Sequence, residues 1–147
     1  MEEALGAIEK LGVVQALKTS FIAYPVVNAL HILAIGALVT TVILMDLKLL
    51  GLFDEMPEPH FVRLLRRIAL GAFVVASATG LALFSVRASE YAAMPLFWAK
   101  MGLIGLAALN FIAFITIRNG PRRVFALVSI TLWPLALLAG RFLGFVL

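Results

Sequence analysis

Residues 21–52 read FIAYPVVNALHILAIGALVTTVILMDLKLLGL, and residues 21–45 of this segment carry no formally charged side chain. At ~1.5 Å per residue, a helix of this length crosses the ~30 Å hydrocarbon core of a bilayer. Three polar side chains interrupt the apolar run and fall close to one stripe of the helix: Tyr24, Asn28 and His31. An ionisable residue within a spanning helix usually faces other helices and not lipid. We therefore expect this stripe to face a bundle interior.

The composition of the whole chain is typical of a membrane protein. Hydrophobic residues make up 63% of the 147 residues and charged residues 14%, against roughly 45–50% and about 25% in soluble domains. The length fits one domain, residues 1–147. The basic residues stand at the ends of apolar segments, so the net charge of +4 does not indicate a nucleic-acid partner. We expect a single integral domain in contact with the lipid bilayer.

Hydrophobicity and turn residues divide the chain into a short N-terminal segment and four spans. Residues 2–18 follow a weak amphipathic pattern, which predicts a short helix on the membrane surface. The predicted spans cover residues 21–49, 61–87, 95–117 and 124–146. Because the loops between them are short, the fold class expected is an all-α, up-and-down four-helix membrane bundle.

Two spans carry small residues four positions apart, a spacing that lets helices approach closely. One set is Ala72, Ala76 and Gly80, and the other is Ala136, Gly140 and Gly144. We expect one seam to pack within the bundle and the other to receive a neighbour. The chain is therefore expected to be a homo-oligomer or a subunit of a larger membrane complex.

The Lys and Arg residues on the two sides of the bundle predict its orientation. Seven follow the first and third spans: Lys48, Arg63, Arg66, Arg67, Arg118, Arg122 and Arg123. The other side holds five: Lys10, Lys18, Arg87, Lys100 and Arg141. The positive-inside rule then places both termini outside the cytoplasm. We expect a multi-pass protein of the bacterial inner membrane with both termini in the periplasm.

The half of the bundle that holds both termini collects polar side chains. Tyr24, Asn28 and His31 lie on span one, Lys100 enters span three, and Arg141 lies in the last turns of span four. Buried cations need partners, and a ligand can supply them where the chain does not. These five residues are the predicted cofactor-binding pocket. The alternatives are that the two cations extend to the interface and that the imidazole only bonds another helix.

His31 is also the candidate metal ligand, because a neutral imidazole at this depth can bind haem iron. The second histidine, His60, falls in the loop before span two, so a haem b would be five-coordinate, take a non-histidine ligand or be shared with a second copy of the chain. A quinone needs only hydrogen bonds and a cation. Haem b and quinone are therefore the two cofactors that the sequence leaves open.

The sequence favours a non-enzymatic role. It contains no Ser–His–acid set at a nucleophile turn, no phosphate-binding glycine loop and no cysteine. Asp46 is expected to pair, at the end of its helix, with an arginine of the next span (Arg63, Arg66 or Arg67). Asn110, deep in span three, is expected to form an interhelical hydrogen bond.

Short motifs along residues 20–143 resemble an uncharacterised family of small bacterial four-span inner-membrane proteins. They are Tyr24-Pro25, His31, Gly36, Asp46-Leu47, Leu49-Leu50-Gly51-Leu52, Thr79-Gly80, Leu83-Phe84, Pro95-x-Phe97-x-x-Lys100, Asn110, Leu132-Trp133 and Gly140-Arg141. That family is distantly similar to copper-resistance D-type and cytochrome-b-like four-helix membrane proteins. One departure is Arg66-Arg67, near which the family pattern leads us to expect a proline. The resemblance implies a fold and the place of a site, and it implies no reaction.

Three functions follow as hypotheses. The first is a binding or accessory component of membrane redox chemistry, with haem or quinone in the cationic pocket. The second is a structural subunit or assembly factor whose small-residue faces dock on partner helices. The third is a transporter of small ions or organic anions, which four spans would form only as an oligomer.

Overall fold

The computed structural model describes residues 2–53, 55, 57–117 and 120–146. In this part of the chain there are seven helices: α1 (Glu2–Glu9), α2 (Gly12–Thr19), α3 (Ala23–Leu50), α4 (Glu58–Val86), α5 (Ala88–Ala92), α6 (Pro95–Thr116) and α7 (Arg122–Val146). Four of them, α3, α4, α6 and α7, are long and apolar enough to cross a membrane. The protein is therefore an all-α, multi-pass membrane helix bundle, as the sequence predicts.

The four long helices pack in the order α4–α3–α7–α6. Contacts between Cα atoms join α3 to α4, α3 to α7, and α6 to α7. Among the described residues, no Cα atom of α4 lies within 8 Å of one in α6. The bundle is thus built on the α3–α7 pair, and its backbone is open along the side between α4 and α6.

The core of the bundle lies around the middle of α3. Leu38 and Val42 of α3 pack with Ala69 of α4, Ala107 of α6 and Trp133 of α7. The Trp133 ring also meets Phe73 of α4 edge to face, with the ring centroids 6.3 Å apart. Side chains therefore bridge the helix pairs where the backbones stay apart.

The three short helices cover the end of the bundle at which α3 begins and α7 ends, here called the terminal half. α1 contacts α4 and α5, and α2 contacts α3 and α4. The backbone N–H of Ser89 donates to a Glu9 carboxylate oxygen at 2.8 Å, and the Ser89 hydroxyl donates to the same oxygen. These hydrogen bonds hold the pKa of the Glu9 carboxyl below its usual value.

The long helices lie within three residues of the predicted spans. The N-terminal segment differs, because two helices replace the single one expected over residues 2–18. Leu11 adopts an extended backbone between them, and Gly12 begins the second. The break is bridged by the Gln15 amide, which donates to the Glu9 carbonyl at 2.7 Å.

At the opposite end of the bundle, α3 ends in a glycine cap. Gly51 has a φ of +107°, a left-handed conformation that side chains other than glycine rarely adopt. The amide of Leu52 donates to the Leu47 carbonyl at 3.0 Å, and the Lys48 ammonium donates to the Phe53 carbonyl at 2.5 Å. Lys48 is therefore a buried cation whose ammonium binds a carbonyl just beyond the end of its own helix.

Candidate functional site

His31 packs across the α3–α4 contact. Its Nδ1 atom lies 2.9 Å from the Thr79 hydroxyl oxygen. The ring covers Gly80, where an added Cβ would lie 3.0 Å from His31 Cε1. The small residue on α4 is therefore needed to make room for the imidazole, and the hydroxyl beside it fixes the ring's orientation.

The hydrogen bonds of Thr79 assign the tautomer of this histidine. The Thr79 hydroxyl donates its single proton to the Val75 carbonyl at 2.6 Å. It can then only accept from His31, so Nδ1 carries the proton and Nε2 of the neutral ring carries the lone pair. Nε2 is therefore the atom that can accept a proton or bind a metal.

Lys100 lies in the same half of the bundle, on the α6–α7 contact. An added Cβ on Gly140 would lie 3.2 Å from Lys100 Cε and 3.4 Å from Nζ. The lysine stem therefore lies across the helix where a glycine leaves room, and the side chain is half-buried. Its ammonium interacts electrostatically with the His31 ring. The structure thus places these two predicted residues in the same half of the bundle, one on each helix pair.

No acid neutralises Lys100 within the described chain. The one ion pair found there joins Arg87 to Glu90, 3.5 Å apart on the exposed end of α4 and the start of α5. A half-buried ammonium in a membrane bundle retains hydrogen-bond donors that seek an oxygen acceptor. This arrangement suits a ligand with a carbonyl, carboxylate or phosphate oxygen.

The other three predicted residues lie farther out. Tyr24 is 38% exposed and interacts electrostatically with Tyr91 of α5, while Asn28 is exposed on α3. The exposed guanidinium of Arg141 lies over the Phe145 ring, 4.6 Å from its centroid. In the described part of the chain, none of these three side chains forms a hydrogen bond with His31.

An aromatic group closes the terminal half between α4 and α6. The Phe84 ring stacks on Phe97 with centroids 5.2 Å apart, and both lie near Tyr91. Burial raises the pKa of the Tyr91 phenol, and the neighbouring Tyr24 adds to that effect. Tyr91 therefore stays a neutral hydrogen-bonding group at the edge of the site.

The prediction for Asp46 is wrong. Its side chain is 2% exposed, and it forms no ion pair with any arginine in the described part of the chain. Its Oδ2 atom has no hydrogen-bond partner among the described residues, while Ser129 of α7 lies beside the carboxyl group. The side chain turns into the bundle because, at ~100° per residue, position 46 returns near the stripe of His31. The helical periodicity of the sequence was therefore the signal that could have predicted a buried Asp46.

The interhelical hydrogen bond predicted for Asn110 is confirmed. Its Nδ2 atom donates to the Phe125 carbonyl of α7 at 3.0 Å.

Comparison of the chain with family models, curated proteins and solved structures found no match. The chemistry of these side chains is therefore the basis on which a function is proposed.

Proposed function

We propose that this protein binds a quinone in the terminal half of its bundle, as a non-enzymatic component of membrane redox chemistry. The observation that carries the proposal is the placement of His31 on the α3–α4 contact and of Lys100 on the α6–α7 contact in the same half of the bundle. In the proposed setting, the bilayer is a bacterial inner membrane, and this half faces the periplasm.

The two side chains offer complementary hydrogen-bonding groups. The Lys100 ammonium is a donor with no acid partner in the described chain, and it suits a quinone carbonyl oxygen. The lone pair on His31 Nε2 suits the hydroxyl hydrogen that a quinol carries. One site can therefore favour both oxidation states of the same ring, which is what a quinone-binding component requires.

The open side between α4 and α6 supports a ligand that lives in the bilayer. Backbones of these helices stay more than 8 Å apart over the described residues, so the side chains alone separate the interior from lipid. In the terminal half the stacked Phe84 and Phe97 rings fill this side, so a quinone with its apolar tail in the membrane would enter by displacing them, without passing through water.

Haem b is the alternative cofactor. The lone pair on His31 Nε2 suits haem iron as well as it suits a quinol hydroxyl. His31 Nε2 would bind the iron, while the Thr79 hydroxyl orients the imidazole ring through Nδ1. The second axial ligand would have to come from a second copy or from another residue type. Haem thus requires five-coordinate iron, a non-histidine ligand or a second copy of the chain, whereas a quinone requires none of these.

A structural subunit is the competing function, and the exposure of Asn28 favours it. An amide on the outer surface of a spanning helix is costly in contact with lipid, and a partner helix would satisfy it. Docking on a larger membrane complex is compatible with an empty His31–Lys100 site. The two functions therefore differ in what the purified protein carries.

The test is extraction of quinone from protein purified out of quinone-containing bacterial membranes, together with a visible absorption spectrum. We expect extractable quinone in proportion to protein. Lys100→Met should lower that amount by about tenfold, because the variant keeps the length of the side chain and removes its donors. A haem spectrum would favour the alternative cofactor.

Arg87→Met is the matched control, because Arg87 is an exposed cation at the same end of the bundle and is already paired with Glu90. It should retain the quinone. A colourless, quinone-free preparation of the wild-type protein would contradict the proposal and favour the structural subunit.

A further inference from the structure

A cavity lies in the half of the bundle opposite to His31. Its volume is about 230 Å³, and residues from all four long helices line it. Its walls are largely apolar and include five aromatic rings: Phe73, Phe111, Phe114, Phe125 and Trp133. The cavity is smaller than the ~300–1,000 Å³ of most small-molecule sites, so it suits a compact organic molecule.

Asp46 is the carboxylate in this lining. The side chain is 2% exposed, and Oδ2 has no partner among the described residues. Ser129 hydrogen-bonds the same carboxyl group, so one oxygen remains unsatisfied, and a buried carboxyl oxygen of this kind either carries a proton or pairs with a cation. Its position in the cavity wall therefore points to the cavity's occupant as the missing partner.

The other polar groups nearby add acceptors. The Asn110 amide nitrogen already donates to the Phe125 carbonyl at 3.0 Å, which leaves its carbonyl oxygen as an acceptor. The Ser129 hydroxyl lies beside Asp46. A ligand that donates hydrogen bonds and carries positive charge would match these groups, and aromatic faces attract such a charge as well.

The cavity opens toward the bilayer between α4 and α6. Leu70 of α4 and Ile112 of α6 both line it and are both largely exposed on the outer surface. The backbones of these two helices do not approach within 8 Å over the described residues. The opening therefore lies at membrane depth, and an occupant would enter from lipid.

We propose that this cavity binds a small lipophilic amine in its ammonium form, with Asp46 as the counter-ion. An inorganic cation fits less well, because hard cations need a shell of about six or more oxygen ligands. Within the described chain, no three metal-binding side chains cluster. An organic ammonium instead uses one carboxylate and the surrounding rings.

Arg66 is the cation in the same lining, and it defines the competing class of ligand. It is half-buried at the α4 side of the cavity and forms no ion pair with Asp46 in the described chain. An aromatic anion would pair with this guanidinium. The test must therefore distinguish binding of an amine from binding of an anion. It must also distinguish the effect of ligand charge from that of ligand hydrophobicity.

Trp133 supplies a built-in reporter, because it lines the cavity and the chain contains only two tryptophans. In a Trp98→Phe background, its fluorescence is titrated with 2-phenylethylammonium, 2-phenylethanol and phenylacetate. The three probes share a ring and differ in charge. We expect the ammonium to bind at least about tenfold more tightly than the other two.

Asp46→Asn should weaken ammonium binding by at least about tenfold and leave the alcohol unchanged. Glu90→Gln is the matched control, because that exposed acid lies at the other end of the bundle. Equal binding of alcohol and ammonium to the wild type, or tighter binding of phenylacetate, would overturn the proposal. Unchanged ammonium affinity in a folded Asp46→Asn variant would overturn it as well.

A variant that keeps the carboxylate provides an independent decision if Asp46→Asn does not fold. Ala108→Leu adds volume to the cavity wall on α6, so it should reduce the fluorescence response to the ammonium by about tenfold. Retention of the full response in this variant would place the amine elsewhere and contradict the proposal.

Discussion

The His31 Nδ1 atom lies 2.9 Å from the Thr79 hydroxyl oxygen, and the same hydroxyl donates to the Val75 carbonyl at 2.6 Å. This chain of two hydrogen bonds connects α3 to the backbone of α4. It fixes which nitrogen carries the proton and leaves Nε2 for chemistry. The orientation of the candidate site therefore depends on one threonine hydroxyl.

Thr79→Val should free the imidazole while keeping the shape of the residue. We expect a loss of stability of ~0.6 kcal/mol, with about 1.7 kcal/mol as the upper range for such bonds in membrane bundles. Bound quinone should fall at the same time. Thermal unfolding in detergent and quinone extraction measure the two effects.

Thr131→Val is the matched control for this change. Its hydroxyl bonds the carbonyl four residues earlier at 2.9 Å and makes no bond to another helix in the described chain. If both valine variants behave alike, Thr79 does not orient His31. Nitrogen NMR of the imidazole in a His60→Gln background reports the tautomer directly, and Nε2 should be the unprotonated atom.

Gly80→Ala should displace His31. The new Cβ would lie 3.0 Å from Cε1 of the ring, so the imidazole must move and its bond to Thr79 must lengthen. We expect destabilisation of roughly 1–3 kcal/mol, as for other overpacked contacts. Gly71→Ala lies on the same helix with no atom within 4 Å of its Cβ, and it should be tolerated. Equal stability of the two variants would contradict the close packing of His31 on Gly80.

The fold and part of the site follow from local pattern alone. Apolar length predicts the four long helices, and helical periodicity predicts that His31 faces a neighbour. Periodicity does not show which helix or which residues His31 faces. Its contact with Thr79 and Gly80 could therefore not be derived from residue spacing. The motif Thr79-Gly80 did appear among the residues that carry the family resemblance.

The small-residue seams show the same limit. Gly80 and Gly140 both receive a side chain from within the chain, His31 and Lys100 respectively, whereas one seam was expected to serve a neighbour. Gly144 is the member of its set with nothing within 4 Å of an added Cβ. Small residues four positions apart indicate that something packs closely against that helix face. They do not show whether it is a side chain of the same chain or the helix of a partner.

Asn110→Leu should loosen the contact between α6 and α7. The variant removes the hydrogen bond from Nδ2 to the Phe125 carbonyl and leaves that carbonyl without this donor, so we expect a loss of ~0.6 to about 1.7 kcal/mol. Asn28→Leu is the control, since Asn28 is exposed and makes no side-chain hydrogen bond in the described chain. Chemical unfolding in detergent compares them. Equal stability of the Asn110→Leu and Asn28→Leu variants would contradict a stabilising hydrogen bond between Asn110 and Phe125.

The Glu9–Ser89 hydrogen bonds predict that α1 detaches in acid. Because the folded-state pKa of Glu9 is lowered from its usual 4.5, the contact stabilises docking above that value. The stabilisation is lost as pH falls through the folded pKa. Amide hydrogen exchange of α1 should therefore distinguish wild type from Glu9→Gln more strongly at about pH 7 than at about pH 3.5. Glu3→Gln, an exposed acid on the same helix, should match wild type at both values. A difference between wild type and Glu9→Gln that is equally large at both pH values would contradict this.

Reporter fusions test which side of the membrane each half of the bundle faces. Seven Lys and Arg residues follow the first and third spans and five lie toward the other side, so fusions after Glu55 and Asn119 should report the cytoplasm. A fusion after Leu147 should report the periplasm. The His31–Lys100 pair would then lie in the periplasmic half, and the Asp46 cavity in the cytoplasmic half. The opposite pattern of reporters would exchange the two sites between the faces of the membrane and leave their contacts unchanged.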